Sequence, residues 1–104
     1  MAAEMTEKQF QSQVQTVAKL IGWMCYHTYD SRRSAQGFPD LVMVRGQDVL
    51  FVELKTDRGR VSHHQRAWLS ALENVERIRC DLWRPADWER IVKTLNRDRN
   101  EIKE

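Results

Sequence analysis

The sequence predicts an α/β domain with helices packed on a mixed sheet, and three observations predict it. Apolar residues recur at helical spacing after Thr6, after Ser62 and after Pro85. Short runs rich in aromatic and β-branched residues lie between them and read as strands, two of which are joined by a turn at Gly46. The order is therefore helix, three strands, helix, strand, helix, which buries each apolar stripe only if the helices layer onto the sheet.

Thr6 is a good N-cap, and Gln9 three residues later completes a capping box; Phe10, Val14, Val17 and Ile21 form the stripe of the first helix, and Gly22 stops it. On this helix Glu7 falls one turn before Phe10, at the edge of the buried face. Residues 23–29 read as an aromatic-rich strand, and residues 30–37 as a polar loop. Residues 41–44 and 49–55 read as strands joined by the turn Arg45-Gly46-Gln47-Asp48. Residues 56–61 form a charged loop containing Gly59. Ser62 and Gln65 form a second capping box ahead of a stripe of Trp68, Leu69 and Leu72. Residues 78–83 alternate as a half-exposed strand. Pro85 and Asp87 then open a last helix with Trp88, Ile91, Val92 and Leu95 on one face, and in a chain this small that apolar face is expected to cover a second copy. No repeat or linker divides the chain, so residues 1–104 are expected to be one domain, with a core over 6–95 and a charged tail over 96–104.

Composition narrows the function. The chain is 41% hydrophobic and 31% charged, as expected of a globular protein, and no run approaches a membrane span of ~20 apolar residues. Without a basic-then-apolar leader, the expectation is a cytoplasmic protein. Cys25 and Cys80 stand apart from any Cys/His cluster, so they read as reduced thiols rather than zinc ligands or a disulfide. The net charge is only +2, but seven Lys/Arg face five acids between Asp30 and Arg66. If two of those acids hold a cation, this segment is electropositive and suits a phosphate backbone.

The residue types that carry chemistry converge on one place. Glu53 and Lys55, two apart on a strand, share a face, while Leu50, Val52 and Leu54 form an apolar row on the other. Asp40 opens the neighbouring strand directly after Pro39. A hairpin turning near Gly46 brings Asp40 and Glu53 to the same end of the two strands, with Cβ atoms roughly 5–8 Å apart. Two carboxylates at that separation, with a backbone carbonyl and phosphate oxygens, suit hard Mg²⁺ (or Mn²⁺). Such an ion stabilises phosphoryl negative charge and acidifies water. Lys55 beside it suits orienting water, favouring hydroxide or holding a phosphate oxygen.

The run Gly37-Phe38-Pro39-Asp40 with Glu53-Leu54-Lys55 resembles the PD-(D/E)XK nuclease superfamily. Arg32, Arg33 and Ser34 before that run, Ser62-x-x-Gln65-x-x-Trp68-Leu69 after it, then Trp83-Arg84-Pro85 and Trp88, resemble its VRR-NUC branch. The likeness spans roughly Glu7 to Leu95. It implies a restriction-endonuclease-like αβββαβ core with an added C-terminal helix, and Mg²⁺- or Mn²⁺-dependent hydrolysis of DNA phosphodiesters with no small-molecule cofactor. It implies Asp40, Glu53 and the Leu54 carbonyl as metal ligands, Lys55 as the catalytic lysine, Gln65 as the glutamine of the following helix and Glu7 as the first-helix carboxylate. Free-standing members of phage or bacterial origin further imply a homodimer acting on branched DNA such as a Holliday junction.

Competing roles exist for several of these residues. Glu7 also suits a helix N-terminus electrostatically, and Glu4 is a rival for the first-helix carboxylate. Gln65 serves the capping box as well as the site. Arg32, Arg33, Arg58 and Arg60 sit in loops flanking the centre and read as DNA contacts, as do His63 and His64, whose adjacency on a helix points them apart and argues against a zinc pair. The rival functions are a catalytically silent DNA-binding module on the same fold and an accessory subunit of a repair or recombination complex.

Overall fold

The computed structural model describes residues 4–29 and 35–97. The chain runs α1 (Glu7–Leu20), β1 (Met24–His27), β2 (Leu41–Arg45), β3 (Asp48–Leu54), α2 (His63–Glu73), β4 (Arg79–Trp83), a 3-10 turn (Pro85–Asp87) and α3 (Trp88–Asn96). The expected αβββαβ order with a C-terminal helix is therefore present.

Local chemistry accounts for the helix ends. Thr6 Oγ1 accepts from Gln9 N at 3.1 Å while Gln9 Oε1 accepts from Thr6 N at 2.9 Å, so two otherwise orphaned donors are satisfied reciprocally. At the other end Gly22 takes φ +104°, its N–H donates to Lys19 O, and Trp23 N donates to Ala18 O. This paired arrangement closes a helix and needs the left-handed conformation that glycine adopts without strain.

The sheet order is β1-β2-β3-β4, with β1, β2 and β3 antiparallel in turn and β4 parallel to β3. Arg45 pairs with Asp48 across a two-residue turn whose first residue, Gly46, has φ +61°. Register puts Leu41, Met43, Leu50, Val52, Leu54 and Trp83 on one face, where they bury against Phe10, Val14 and Ala18 of α1 and Ile91 and Leu95 of α3. The opposite face carries Val42, Phe51, Glu53 and Leu82, and α2 packs over its β3–β4 half. Both faces of β3 are thus covered, which places it centrally.

Four details depart from the sequence expectations. The first strand is only Met24–His27; Trp23 turns into the core and donates Nε1–H to Leu95 O at 3.0 Å. Trp83 is wholly buried rather than half-exposed: β4 is an edge strand, but Trp83 stands beside Leu54 on the face that α1 and α3 cover. Pro85 opens a 3-10 turn and the helix proper begins at Trp88. Finally, Ile91 and Leu95 are fully buried in their own core, so the apolar face of α3 is not available to cover a partner. Among the described residues no helix is long and apolar enough to cross a membrane.

Candidate active site

The Gly37–Asp40 run is held from three sides. Gly37 has φ +86°, and a Cβ placed there would lie 2.4 Å from the His64 carbonyl carbon and 2.7 Å from Gln65 N. The loop therefore lies directly on the first turn of α2, an approach open only to glycine. Phe38 packs edge-on against both Phe51 (ring centroids 6.1 Å) and Trp68 (5.1 Å), and Trp68 donates its indole N–H to Gln36 O at 3.1 Å. From the β1 side, Thr28 N donates to Asp40 O at 3.1 Å and Thr28 Oγ1 to Pro39 O at 3.3 Å. No sequence signal marked Thr28, since a threonine after a strand is common.

The Thr28 contacts prolong the β1–β2 pair past His27–Leu41, and the β2–β3 register, continued one step past Leu41–Val52, sets Asp40 opposite Glu53. Asp40 Oδ2 accepts from Leu54 N at 2.8 Å, which fixes the carboxylate's rotation. Glu53 is 1% exposed, the one buried charged residue among those described; no N–H donor among the described residues reaches its carboxylate oxygens, and the side chain it meets is the Asp40 carboxyl, with which it shares a proton. The nearest cation is Lys55 Nζ, 3.9 Å from Glu53 Oε2 on the same strand face. At that length the pair is an ion pair rather than a hydrogen bond.

Electrostatics follow from this crowding. Burial and then the negative charge of Asp40 push Glu53 up to about 8, with Lys55 opposing. Asp40 is also raised by burial, restrained by its bond from Leu54 N. Glu7 is raised by partial withdrawal from water and by Asp40, so its carboxyl senses the centre even though the residue as a whole is exposed. Glu4 instead pairs with Arg58 at 3.7 Å. Among the described residues no three His, Cys, Asp or Glu side chains converge as a ready metal cage. The core set is therefore Asp40 and Glu53, with Glu7 outlying.

Gln65 makes the capping box: its Oε1 accepts from Ser62 N at 2.8 Å while Ser62 Oγ accepts from Gln65 N at 3.1 Å. The His63 and His64 rings lie 4.1 Å apart at 36°, so they stack rather than diverge; both are exposed on the first turn of α2. Arg58 and Arg60 are exposed on the loop that follows Lys55. Arg32 and Arg33 lie outside the described residues.

The sequence profile of the VRR-NUC domain matches residues 2–81. The chain belongs to the VRR-NUC family. A solved structure described as a VRR_NUC domain protein shares the fold at TM-score 0.60, with 19% identity over 89% of this chain and 87% of that one. No curated protein matches the chain at a comparable standard. Membership makes this a nuclease-family domain, and both Asp40 and the Glu53–Lys55 pair of its VRR-NUC segment fall inside the matched residues.

Proposed function

We propose that this VRR-NUC domain is a divalent-cation-dependent deoxyribonuclease that hydrolyses internal phosphodiester bonds. The observation that carries the reading is the Glu53 carboxyl, buried against the Asp40 carboxyl and beside Lys55 with no N–H donor of the fold turned to it. A buried carboxylate left this way is unfavourable by several kcal/mol when ionised. It persists most readily where a ligand supplies the missing partner.

A hard cation fits the donor set. Asp40, Glu53 and the Leu54 carbonyl would hold Mg²⁺ or Mn²⁺, with Glu7 as an outlying carboxylate and waters filling the remainder. Such a cation, when bound, supplies positive charge for the developing phosphoryl negative charge and lowers the pKa of water. The chain's own residues do the rest. Lys55 holds an ammonium within reach of the phosphate or of the attacking water. Gln65, whose side chain accepts from Ser62 N and whose backbone abuts Gly37, is assigned to the site as the glutamine of the following helix. Arg58, Arg60, His63 and His64 supply exposed donors for the backbone, with Arg32 and Arg33 assigned the same role. Because these groups read phosphates and not base edges, recognition is of DNA shape, and the reading extends to branched substrates such as four-way junctions.

A homodimer belongs to the same reading, on a different surface from the one sequence suggested. Met24 (77% exposed), Tyr26 (62%) and Val44 (40%) share the α2 side of the β1–β2 pair, on the half that α2 leaves uncovered. A second copy covering this face would relieve that exposure, and a twofold pair of sites would match a junction's symmetry.

The test is cleavage of plasmid and of synthetic four-way-junction, flap and linear DNA with Mg²⁺, Mn²⁺ or EDTA, beside Asp40→Ala and Lys55→Ala. Metal-dependent cleavage lost in both variants is expected. Activity surviving either substitution overturns the assignment, and tight metal-independent binding without cleavage would make the domain a silent DNA-binding module.

A further inference from the structure

We propose that Arg84 is a positioning residue for this centre: it ties the 56–59 loop against the stem of Lys55 and so sets that ammonium, and the neighbouring Arg58 and Arg60, relative to Asp40 and Glu53. The inference rests on the nuclease reading above. Arg84 lies beyond the 2–81 segment that the family profile covers.

The geometry is that of a clamp. β4 ends at Trp83, beside the end of β3, where Lys55 N donates to Trp83 O at 3.0 Å. The next residue, Arg84, donates its backbone N–H to Asp87 Oδ2 at 2.9 Å, which anchors it at the start of the Pro85–Asp87 turn. Its side chain then runs back over the loop. Arg84 Nη1 donates to Thr56 O at 2.7 Å and Gly59 O at 2.8 Å, with Asp57 O at 3.4 Å. The loop replies through Asp57 Oδ1, which accepts from Ala86 N at 2.9 Å, and closes on itself where Gly59 N donates to Thr56 O at 3.2 Å.

What the clamp holds matters for the chemistry. A Cβ built on Gly59 would stand 3.3 Å from Lys55 Cδ and 3.0 Å from Thr56 Oγ1, so the Gly59 backbone packs against the lysine stem. The stem is the lever on which the ammonium sits 3.9 Å from Glu53. An arginine kept only for charge balance would face a carboxylate; the Nη1 bonds of Arg84 go to carbonyls of the loop. A planar guanidinium reaches several acceptors in fixed directions, whereas a lysine ammonium offers one point. Misplacement by ~1 Å at a reacting centre lowers rates about 100-fold.

The experiment uses the full chain, with Arg84→Lys, Arg84→Gln and Gly59→Ala, each shown folded by far-UV circular dichroism and thermal melting and assayed well below its Tm. Single-turnover cleavage of a labelled four-way junction in Mg²⁺ separates the rate from DNA affinity, and limited trypsinolysis reads the loop at Arg58 and Arg60. Both Arg84 variants should cleave about 10- to 100-fold more slowly. Their junction affinity should fall by less than the rate does, through the displaced Arg58 and Arg60, and they should be cut after Arg58 and Arg60 about 10-fold faster, because the loop opens locally. Gly59→Ala keeps the clamp but crowds Lys55, so its rate should fall while trypsin resistance is retained. Folded Arg84 variants with wild-type turnover and wild-type loop cutting overturn the proposal. Should the Arg84 variants not fold, an undiminished rate in Gly59→Ala overturns it. A wild-type chain that cleaves no DNA under any metal refutes the nuclease reading instead, and the trypsin arm still decides the clamp.

Discussion

Substituting Glu53 by glutamine should change how the metal-free protein responds to pH, in a direction the structure dictates. Folding moves the Glu53 carboxyl from 4.5 up to about 8, through burial first and then the charge of Asp40. Between those two values the folded chain holds a proton that the unfolded chain has already released. Stability is therefore fully present below about 4.5, falls as pH rises, and reaches its lowest level above about 8. At ~1.36 kcal/mol per pH unit the gap corresponds to at most about 5 kcal/mol, a large fraction of a small domain's total. Asp40 and Glu7, also raised, act in the same sense. The glutamine side chain of the variant cannot ionise, but it buries an amide whose donors need partners, at about 1–3 kcal/mol. The wild type should thus be the more stable at pH 5 and Glu53→Gln the more stable at pH 8, so that the two stability curves cross. Urea unfolding in EDTA between pH 5 and 8 measures this, and a loss of ~2 kcal/mol lowers Tm by about 8 °C for a domain of this size. Adding Mg²⁺ at pH 8 should restore the wild type alone, by about 2.7 kcal/mol at a hundredfold excess over Kd. A wild type as stable at pH 8 as at pH 5 in EDTA, or curves that fail to cross, would refute the reasoning.

Other perturbations test separate parts of the argument. Gly37→Ala combines a left-handed φ with a Cβ 2.4 Å from the α2 backbone, so it should destabilise by about 3 kcal/mol or more in urea titration. Asp40→Asn keeps an acceptor for Leu54 N whereas Asp40→Ala does not; both should lose nuclease activity, with the alanine variant less stable by about 1–2 kcal/mol. Leu95→Ala opens a cavity in the α1–α3 core and should cost about 2–5 kcal/mol without altering DNA affinity in the folded fraction. Met24→Glu with Tyr26→Glu should convert a dimer to a monomer in light scattering, and a wild type that is monomeric at micromolar concentration removes the dimer from the reading.

Patterns that act over a few residues were legible in the sequence. Both capping boxes, the Gly22 stop and the Gly46 hairpin depend on neighbours within four positions, and each is found. Continuing the hairpin register past Leu41 and Val52 sets Asp40 opposite Glu53, so the nearness of these two carboxylates follows from a local pattern. What was not readable depends on partners distant in sequence. Trp83 has the alternation of a half-exposed strand and is buried because the β3–β4 register sets it beside Leu54 on the face covered by α1 and α3. Thr28 and Arg84 act through backbone carbonyls of residues 39 and 56–59, and a carbonyl leaves no trace in residue type. His63 and His64 were expected to diverge as helix neighbours, yet at the first turn of α2 their rings tilt together.

Another carboxylate in the same sheet is met by the fold as Glu53 is not. Asp81 pairs across β3–β4 with Val52, one residue from Glu53, and points to the opposite face. It is also largely withdrawn from solvent, and the fold answers it: Asp81 Oδ2 accepts from Arg79 Nε at 2.9 Å and from Trp83 Nε1 at 3.2 Å. Asp87 and Asp57 are met in the same way, by the backbone N–H groups of Arg84 and Ala86. This chain therefore satisfies its structural carboxylates with donors placed for the purpose. Glu53 is more deeply buried than any of these, and its one nearby cation stands too far for a hydrogen bond. A carboxylate kept there for packing alone would be replaced by leucine at little cost, since its own face already carries Phe51 and, opposite it on β4, Leu82. On the reading proposed above the partner of Glu53 is a cation from solution, and Glu53→Leu should accordingly raise stability in EDTA while abolishing the response to Mg²⁺. A Glu53→Leu variant that is less stable than the wild type at pH 8 without metal would return Glu53 to a structural role.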